Sequence, residues 1–129
     1  MNRRGDGVAL VASQDLRAIS TITELLAENS FRFEILDGGT DLIKKVIDHS
    51  VNLVVIDADL RNHMPINEVV SIIRKAREKI YIVVIANQLS LQMGRSLAEY
   101  RIALSLLKPI NRNLFSEFLT HLRNSESVR

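Results

Sequence analysis

A chain of 129 residues without cysteine must draw any chemistry from carboxylates, amines, hydroxyls or imidazoles, because thiolate nucleophiles, thiolate metal sites and disulfides are excluded. Asp57 and Lys108 stand out. Asp57 closes the apolar run Leu53-Val54-Val55-Ile56, and Lys108 lies between Leu107 and Pro109 at the end of another. In an open α/β sheet, ligands bind outside the carboxyl ends of the strands. A carboxylate and an ammonium at that rim form an ion pair that holds the loops around it. The same rim would carry Ala12-Ser13-Gln14-Asp15, Ala58-Asp59 and Ile85-Ala86-Asn87-Gln88. Asp15 suits the N-cap of a following helix, and Asp59 a loop. His49, His63 and His121 lack the spacing of a metal site and read as surface residues. Gly38-Gly39 matches neither GxGxxG nor GxxxxGK, so it reads as a turn. No catalytic residue is identified.

The elements that must position these residues are visible in the hydrophobic pattern. Val8–Ala12, Val51–Ile56 and Ile80–Ile85 are nearly uninterrupted apolar runs, as strands buried on both faces require. Phe31–Leu36 begins by alternating apolar with charged residues, which suits an edge strand, and Ala103–Leu107 supplies a fifth strand. Helical periods separate them: Leu16, Ile19, Ile22 and Leu26; Leu42, Ile43, Val46 and Ile47, with Thr40 as N-cap; and Ile66, Val69, Val70 and Ile73, entered at Pro65. A weaker helix from Ser90 to about Tyr100 is interrupted by Gly94. The last carries Leu114, Phe115, Phe118, Leu119 and Leu122 behind an Asn111 cap. Strict alternation of strand and helix predicts an α/β, doubly wound, five-stranded parallel sheet with helices on both faces.

Composition bounds the function. With 47% hydrophobic and 25% charged residues and a formal net charge of +2, the chain reads as one soluble domain. Its basic residues are interleaved with acids, which argues against direct nucleic-acid binding. No apolar h-region follows Arg3-Arg4, so neither a secretion signal nor a membrane span is expected, and the cytoplasm is the default location. The expected boundaries are a flexible lead at 1–6, a domain at 7–123 and a polar tail at 124–129.

The order of elements, the run Leu53-Val54-Val55-Ile56-Asp57, the helix entry at Pro65 eight residues later, and Leu107-Lys108-Pro109 together resemble the receiver domain of bacterial response regulators (CheY-like). The resemblance covers nearly the whole chain. It implies the flavodoxin-like strand order 2-1-3-4-5, a phosphoacceptor role for Asp57, phosphate binding by Lys108 and a cis Lys108-Pro109 bond. A carboxylate is a weak nucleophile, so phosphoryl transfer to it depends on position and on cations that neutralise the developing charge.

This sequence also departs from the family. The acidic pair that holds Mg²⁺ at the end of the first strand is Ala12 and Ser13 here. Mg²⁺ is therefore expected to bind weakly if at all, through Asp57 with Asp59 or Asp15 as compensating ligands; Asp59 is the better candidate. No other cofactor is expected. With the acidic pair gone, Asp57 and Lys108 should form a nearly charge-balanced pair. The hydroxyl residue of the fourth strand is Ile85, and the aromatic switch residue is Ser105, so the usual coupling to the outer face lacks both members.

The leading expectation is a receiver-like signalling domain of two-component phosphorelay type, not an enzyme, acting as a protein-interaction module with impaired phosphorylation. Its partner would be a histidine kinase or a downstream signalling protein. A homodimer through the fourth helix, fifth strand and fifth helix is possible, with Met93, Tyr100, Arg101 and Arg112 as exposed contributors. The alternatives are an active phosphoacceptor with an altered metal site and, more distantly, a flavodoxin-like ligand-binding domain or small enzyme.

Overall fold

β-Branched runs that are apolar on both faces need cover on both faces, and the chain supplies it by alternating strand and helix throughout. The computed structural model describes residues 7–61 and 64–127. The elements are β1 (Gly7–Ala12), α1 (Leu16–Glu28), β2 (Phe31–Leu36), α2 (Gly39–Asp48), β3 (Leu53–Asp57), α3 (Ile66–Ala76), β4 (Tyr81–Ala86), α4 (Leu91–Ala98), β5 (Leu104–Leu107) and α5 (Arg112–Ser127). The strands form one sheet in the order β2-β1-β3-β4-β5, and every neighbouring pair is parallel. The expected lead at 1–6 and His63 lie outside the described residues.

Alternation along the central strands divides the core in two. Val11, Val55 and Val83 meet Ile22 and Leu26 of α1 and Phe115 and Leu119 of α5. Leu10, Val54 and Ile82 meet Leu42 and Val46 of α2 and Val69, Val70 and Ile73 of α3 on the other face. Each such side chain contributes roughly 1.5–3 kcal/mol by leaving water. At the start of β1 the layers are tight: a Cβ on Gly7 would run into the Phe31 ring.

Several local expectations change. Leu16 is 80% exposed, because the inward stripe of α1 runs through Ala18, Ile22, Leu25 and Leu26 and leaves the first helical residue outside. Ile47 and Leu114 are exposed because they lie off the inward stripes of their helices, Leu42 and Val46 in α2 and Phe115, Leu119 and Leu122 in α5. Gly38, not Thr40, is the N-cap of α2: its extended backbone presents its carbonyl to the Leu42 N–H, so Thr40 falls within the first turn. α5 continues to Ser127, into the stretch expected as a polar tail, because neither Gly nor Pro follows Leu122 to stop it. Asp15, Ser90 and Asn111 cap α1, α4 and α5 through their side chains. No helix among the described residues is long and apolar enough to cross a membrane.

At the N-terminal ends of β4 and β5, two arginines tie the loops together. Arg74, in the last turn of α3, donates to the carbonyls of Tyr100, Glu78 and Ile80 at 2.9, 2.8 and 2.8 Å, to Arg101 at 3.1 Å, and more loosely to Arg77. Arg77 donates in turn to the carbonyls of Val46 and Ile47 at the end of α2, both at 3.0 Å. Arg101 adopts a positive φ of 56° within this bonded turn.

Candidate functional site

The site lies at the opposite end of the sheet, where parallel strands bring their carboxyl termini to one rim. β1 and β4 both pair with β3, so Ser13 follows a strand on one side of Asp57 and Ile85 stands opposite it on the other. The Ala58 N–H donates to the Ile85 carbonyl at 2.8 Å, which steers the β3 exit along β4. Across β4, the Lys108 N–H donates to the Ala86 carbonyl at 2.8 Å, and the Lys108-Pro109 peptide is cis. These constraints aim the lysine across β4 at the end of β3.

Asp57 is 3% exposed, and both of its carboxylate oxygens are engaged. Oδ1 accepts the Asp59 N–H at 2.8 Å. Oδ2 accepts the Ser13 hydroxyl at 2.7 Å and the Lys108 ammonium at 2.8 Å. Ser13, itself 2% exposed, also accepts the Asp15 N–H at 3.1 Å, so one hydroxyl links the start of α1 to Asp57.

Lys108 serves two further carboxylates, Asp15 Oδ2 at 3.1 Å and Asp59 Oδ2 at 3.2 Å. Asp59 Oδ2 also takes the Asn87 N–H at 2.8 Å, and Asp15 Oδ1 takes the N–H groups of Arg17 and Ala18. Burial alone would push the lysine pKa down, but the hydrogen bonds to Asp57, Asp15 and Asp59 overcome it and hold the pKa well above the ordinary value. The Asp15 carboxyl is held below its usual range, first by the Ala18 N–H and next by Lys108.

The expected neighbourhood of Asp57 and Lys108 is therefore present, and Asp59 lies close to both, as anticipated. The charge balance is not as expected. Asp15 and Asp59 both turn to the lysine, giving three carboxylates around one ammonium instead of an isolated pair. Asp15 does act as the helix cap, but through only one of its oxygens. Ser13, noted in the sequence only as a missing acid, is a direct hydrogen-bond partner of Asp57. Its place at the end of a central strand was the available signal. Ala12 is fully buried and brings no side-chain oxygen to the rim.

Ile85 is fully buried in the core layer beneath α1 and α5, and Ser105 is exposed on β5. Among the proposed contact residues, Arg101 is exposed, Met93 and Tyr100 pack partly onto the core, and Arg112 pairs with Glu24 at 2.8 Å. The sequence reading passed over Leu91 and Leu107, which are 74% and 54% exposed on α4 and β5. His49 and His121 are exposed. A cleft of about 680 Å³ lies beside the cluster, between the first turns of α1 and Lys108-Pro109-Ile110.

No protein-family model and no curated protein sequence matches the chain. Solved structures do. A CheY-like response regulator receiver domain protein from Methanospirillum hungatei is similar with a TM-score of 0.83 at 16% identity, over 95% of this chain and 97% of that one. The signal receiver domain of an HD domain-containing protein from Pseudomonas fluorescens gives 0.81 at 18% identity, over 98% and 100%. The receiver domain of a sensor histidine kinase from Pseudomonas aeruginosa, with a magnesium ion coordinated in its active-site cleft, gives 0.78 at 12% identity, over 92% and 98%. The chain has the receiver fold, with the flavodoxin-like strand order the sequence resemblance implied.

Proposed function

We propose that this receiver-fold chain is a signalling module of two-component type that works by binding protein partners, and that phosphorylation of its Asp57 is impaired. One observation carries the reading: Lys108 joins Asp57, Asp15 and Asp59 at 2.8, 3.1 and 3.2 Å. An ammonium thus stands among the carboxylates that a divalent cation would need. Mg²⁺ requires near-octahedral oxygen ligands and favours anionic ones. Ala12 and Ser13 offer no carboxylate, and each remaining acid is already engaged with the lysine. The donor set does not fit Mg²⁺ without displacing Lys108.

Asp57 Oδ1 keeps a lone pair beside its one hydrogen bond, so what an attack from this carboxylate lacks is a cation to spare. Oδ2 holds Ser13 and Lys108, and Oδ1 holds the Asp59 N–H. A nucleophilic carboxylate needs a lone pair in line with the leaving group and cations on the transferring group. Here the cation is committed to neutralising the protein's own acids. Ile85 supplies no hydroxyl to follow a phosphoryl oxygen, and Ser105 no ring to answer it. The module is not an enzyme in this reading. Its partner would be a histidine kinase or a downstream signalling protein, bound on the face of α4, β5 and α5, where Leu91 and Leu107 are exposed.

Incubation with Mg²⁺ and acetyl phosphate, followed by intact-mass measurement, tests this. The expected result is an unchanged mass. A gain of one phosphoryl group that disappears in Asp57→Ala would establish an active phosphoacceptor and overturn the reading.

A further inference from the structure

We infer that β2 is a self-complementary edge through which two copies of this chain associate, antiparallel, into one continuous sheet. β2 ends the sheet, with β1 on one side and no strand on the other among the described residues. Such an edge presents backbone donors and acceptors to any strand that fits. Native edges commonly carry charges, Pro or bulges that discourage such pairing, and a charge discourages it where it meets its like. The sequence Phe31-Arg32-Phe33-Glu34-Ile35-Leu36 is different.

A two-fold axis normal to the sheet maps each residue to the same face, so directly opposed residues must have equal parity. Centred on Phe33, the pairing sets Arg32 against the partner's Glu34 and Phe31 against the partner's Ile35, while the Phe33 rings meet at the axis. One face then carries two opposite-charge pairs and the other an apolar row. Moving the axis by one residue in either direction sets Arg32 against the partner's Arg32, or Glu34 against the partner's Glu34. Like charges directly opposed on neighbouring strands are destabilising, whereas aromatic pairs and opposite charges are favourable. The charge order therefore selects one register.

Exposure agrees with this geometry. Phe33 and Ile35 are 40% and 44% exposed, side by side on one face of the edge. On the other face, Arg32 and Glu34 are both exposed, and each already has a partner in its own chain, Glu34 meeting Lys45 of α2 at 3.3 Å, so pairing across the axis adds to contacts already made. A single strand pairing is small by the standard of stable interfaces, so the association is weak and appears only at high protein concentration. It is independent of the chemistry at Asp57, and it uses a different edge of the sheet from α4, β5 and α5.

Sedimentation velocity from about 10 µM to about 1 mM, a range suited to weak complexes, tests it. The wild-type chain is expected to move from monomer to dimer. Arg32→Glu and Glu34→Arg, each alone, oppose like charges in both pairs and should weaken association at least about tenfold. An equimolar mixture of the two variants restores both opposite-charge pairs and should recover the dimer. Amide exchange on the wild-type chain supplies a readout that needs no variant: protection of residues 32–35 should rise with concentration. A chain that stays monomeric throughout, a mixture that recovers nothing, or concentration-dependent protection confined to α4, β5 and α5 would each overturn the inference.

Discussion

The ammonium of Lys108 stands 2.8 Å from the carboxylate of Asp57, and the two side chains expose only 8% and 2% of their surface. Removing one member of a buried ion pair leaves the other charge without compensation, at a cost of about 3–5 kcal/mol. Lys108→Met keeps the length of the side chain and removes its charge, so it should destabilise the domain by about that amount, as urea unfolding at neutral pH would measure. A loss below about 1 kcal/mol would mean that the cluster contributes little to the fold.

Shortening the same residue gives a different expectation. Lys108→Ala frees three carboxylates that converge on the vacated space. Mg²⁺ or Mn²⁺ should raise the melting temperature of this variant and leave that of the wild type unchanged. At a metal concentration ten times the Kd, the gain is about 1.4 kcal/mol. Equal shifts in both proteins, in differential scanning fluorimetry, would argue that the lysine does not compete with a cation.

Ser13→Ala should cost about 1 kcal/mol, the net value of a buried hydrogen bond, with the higher end favoured because the acceptor is a carboxylate. It also removes the acceptor of the Asp15 N–H. Urea unfolding measures the loss; wild-type stability in the variant would mean that water replaces the hydroxyl without penalty.

The pH dependence has a definite sign. The Asp15 carboxyl is held below its ordinary value of 3.8, so its contribution is complete above that value and is lost as pH falls through the lower folded-state value. Lys108 is raised above the ordinary 10.5, so its contribution is complete below that value and is lost only as pH rises through the higher folded-state value. Between these limits the two contributions are constant. Asp15→Asn should therefore narrow its stability gap to the wild type below about pH 3.8, as acid titrations followed by circular dichroism would show.

Arg74→Met removes the donor shared by the turns at 77–80 and 100–101 and leaves several carbonyls without their partner. Partly buried carbonyls stripped of a charged donor cost about 1–3 kcal/mol. Amide exchange should accelerate around residues 100–103 and stay unchanged at the Asp57 rim. Uniform acceleration over the whole chain would instead indicate global loosening.

The alternation of apolar runs with helical periods was enough to order the sheet, because strands buried on both faces leave an unmistakable pattern in residues 53–56 and 80–85. The meeting of Asp57 with Lys108 was legible for the same reason: parallel strands bring their ends together. What stayed hidden depended on side-chain direction. Nothing in the spacing of Ser13 and Asp15 says that a hydroxyl and a helix-capping acid will turn inward to the pair that Asp59 was expected to approach. Leu16 misled because it fits a helical stripe, yet it occupies the first helical position, where it projects beyond the sheet that the later turns cover. The carbonyl clamp of Arg74 left no trace in the pattern, since its partners are backbone atoms that every residue possesses.

That last property has a consequence for how the far end of the domain tolerates change. A guanidinium that grips main-chain oxygen is blind to the identity of the amino acid supplying it. The backbone of the turns from Arg77 to Ile80 and at Tyr100-Arg101 is thus spliced to α3 by one arginine through contacts that ask nothing of the side chains there. The exposed Glu78 and Lys79 can be rewritten while the scaffold beneath keeps its shape.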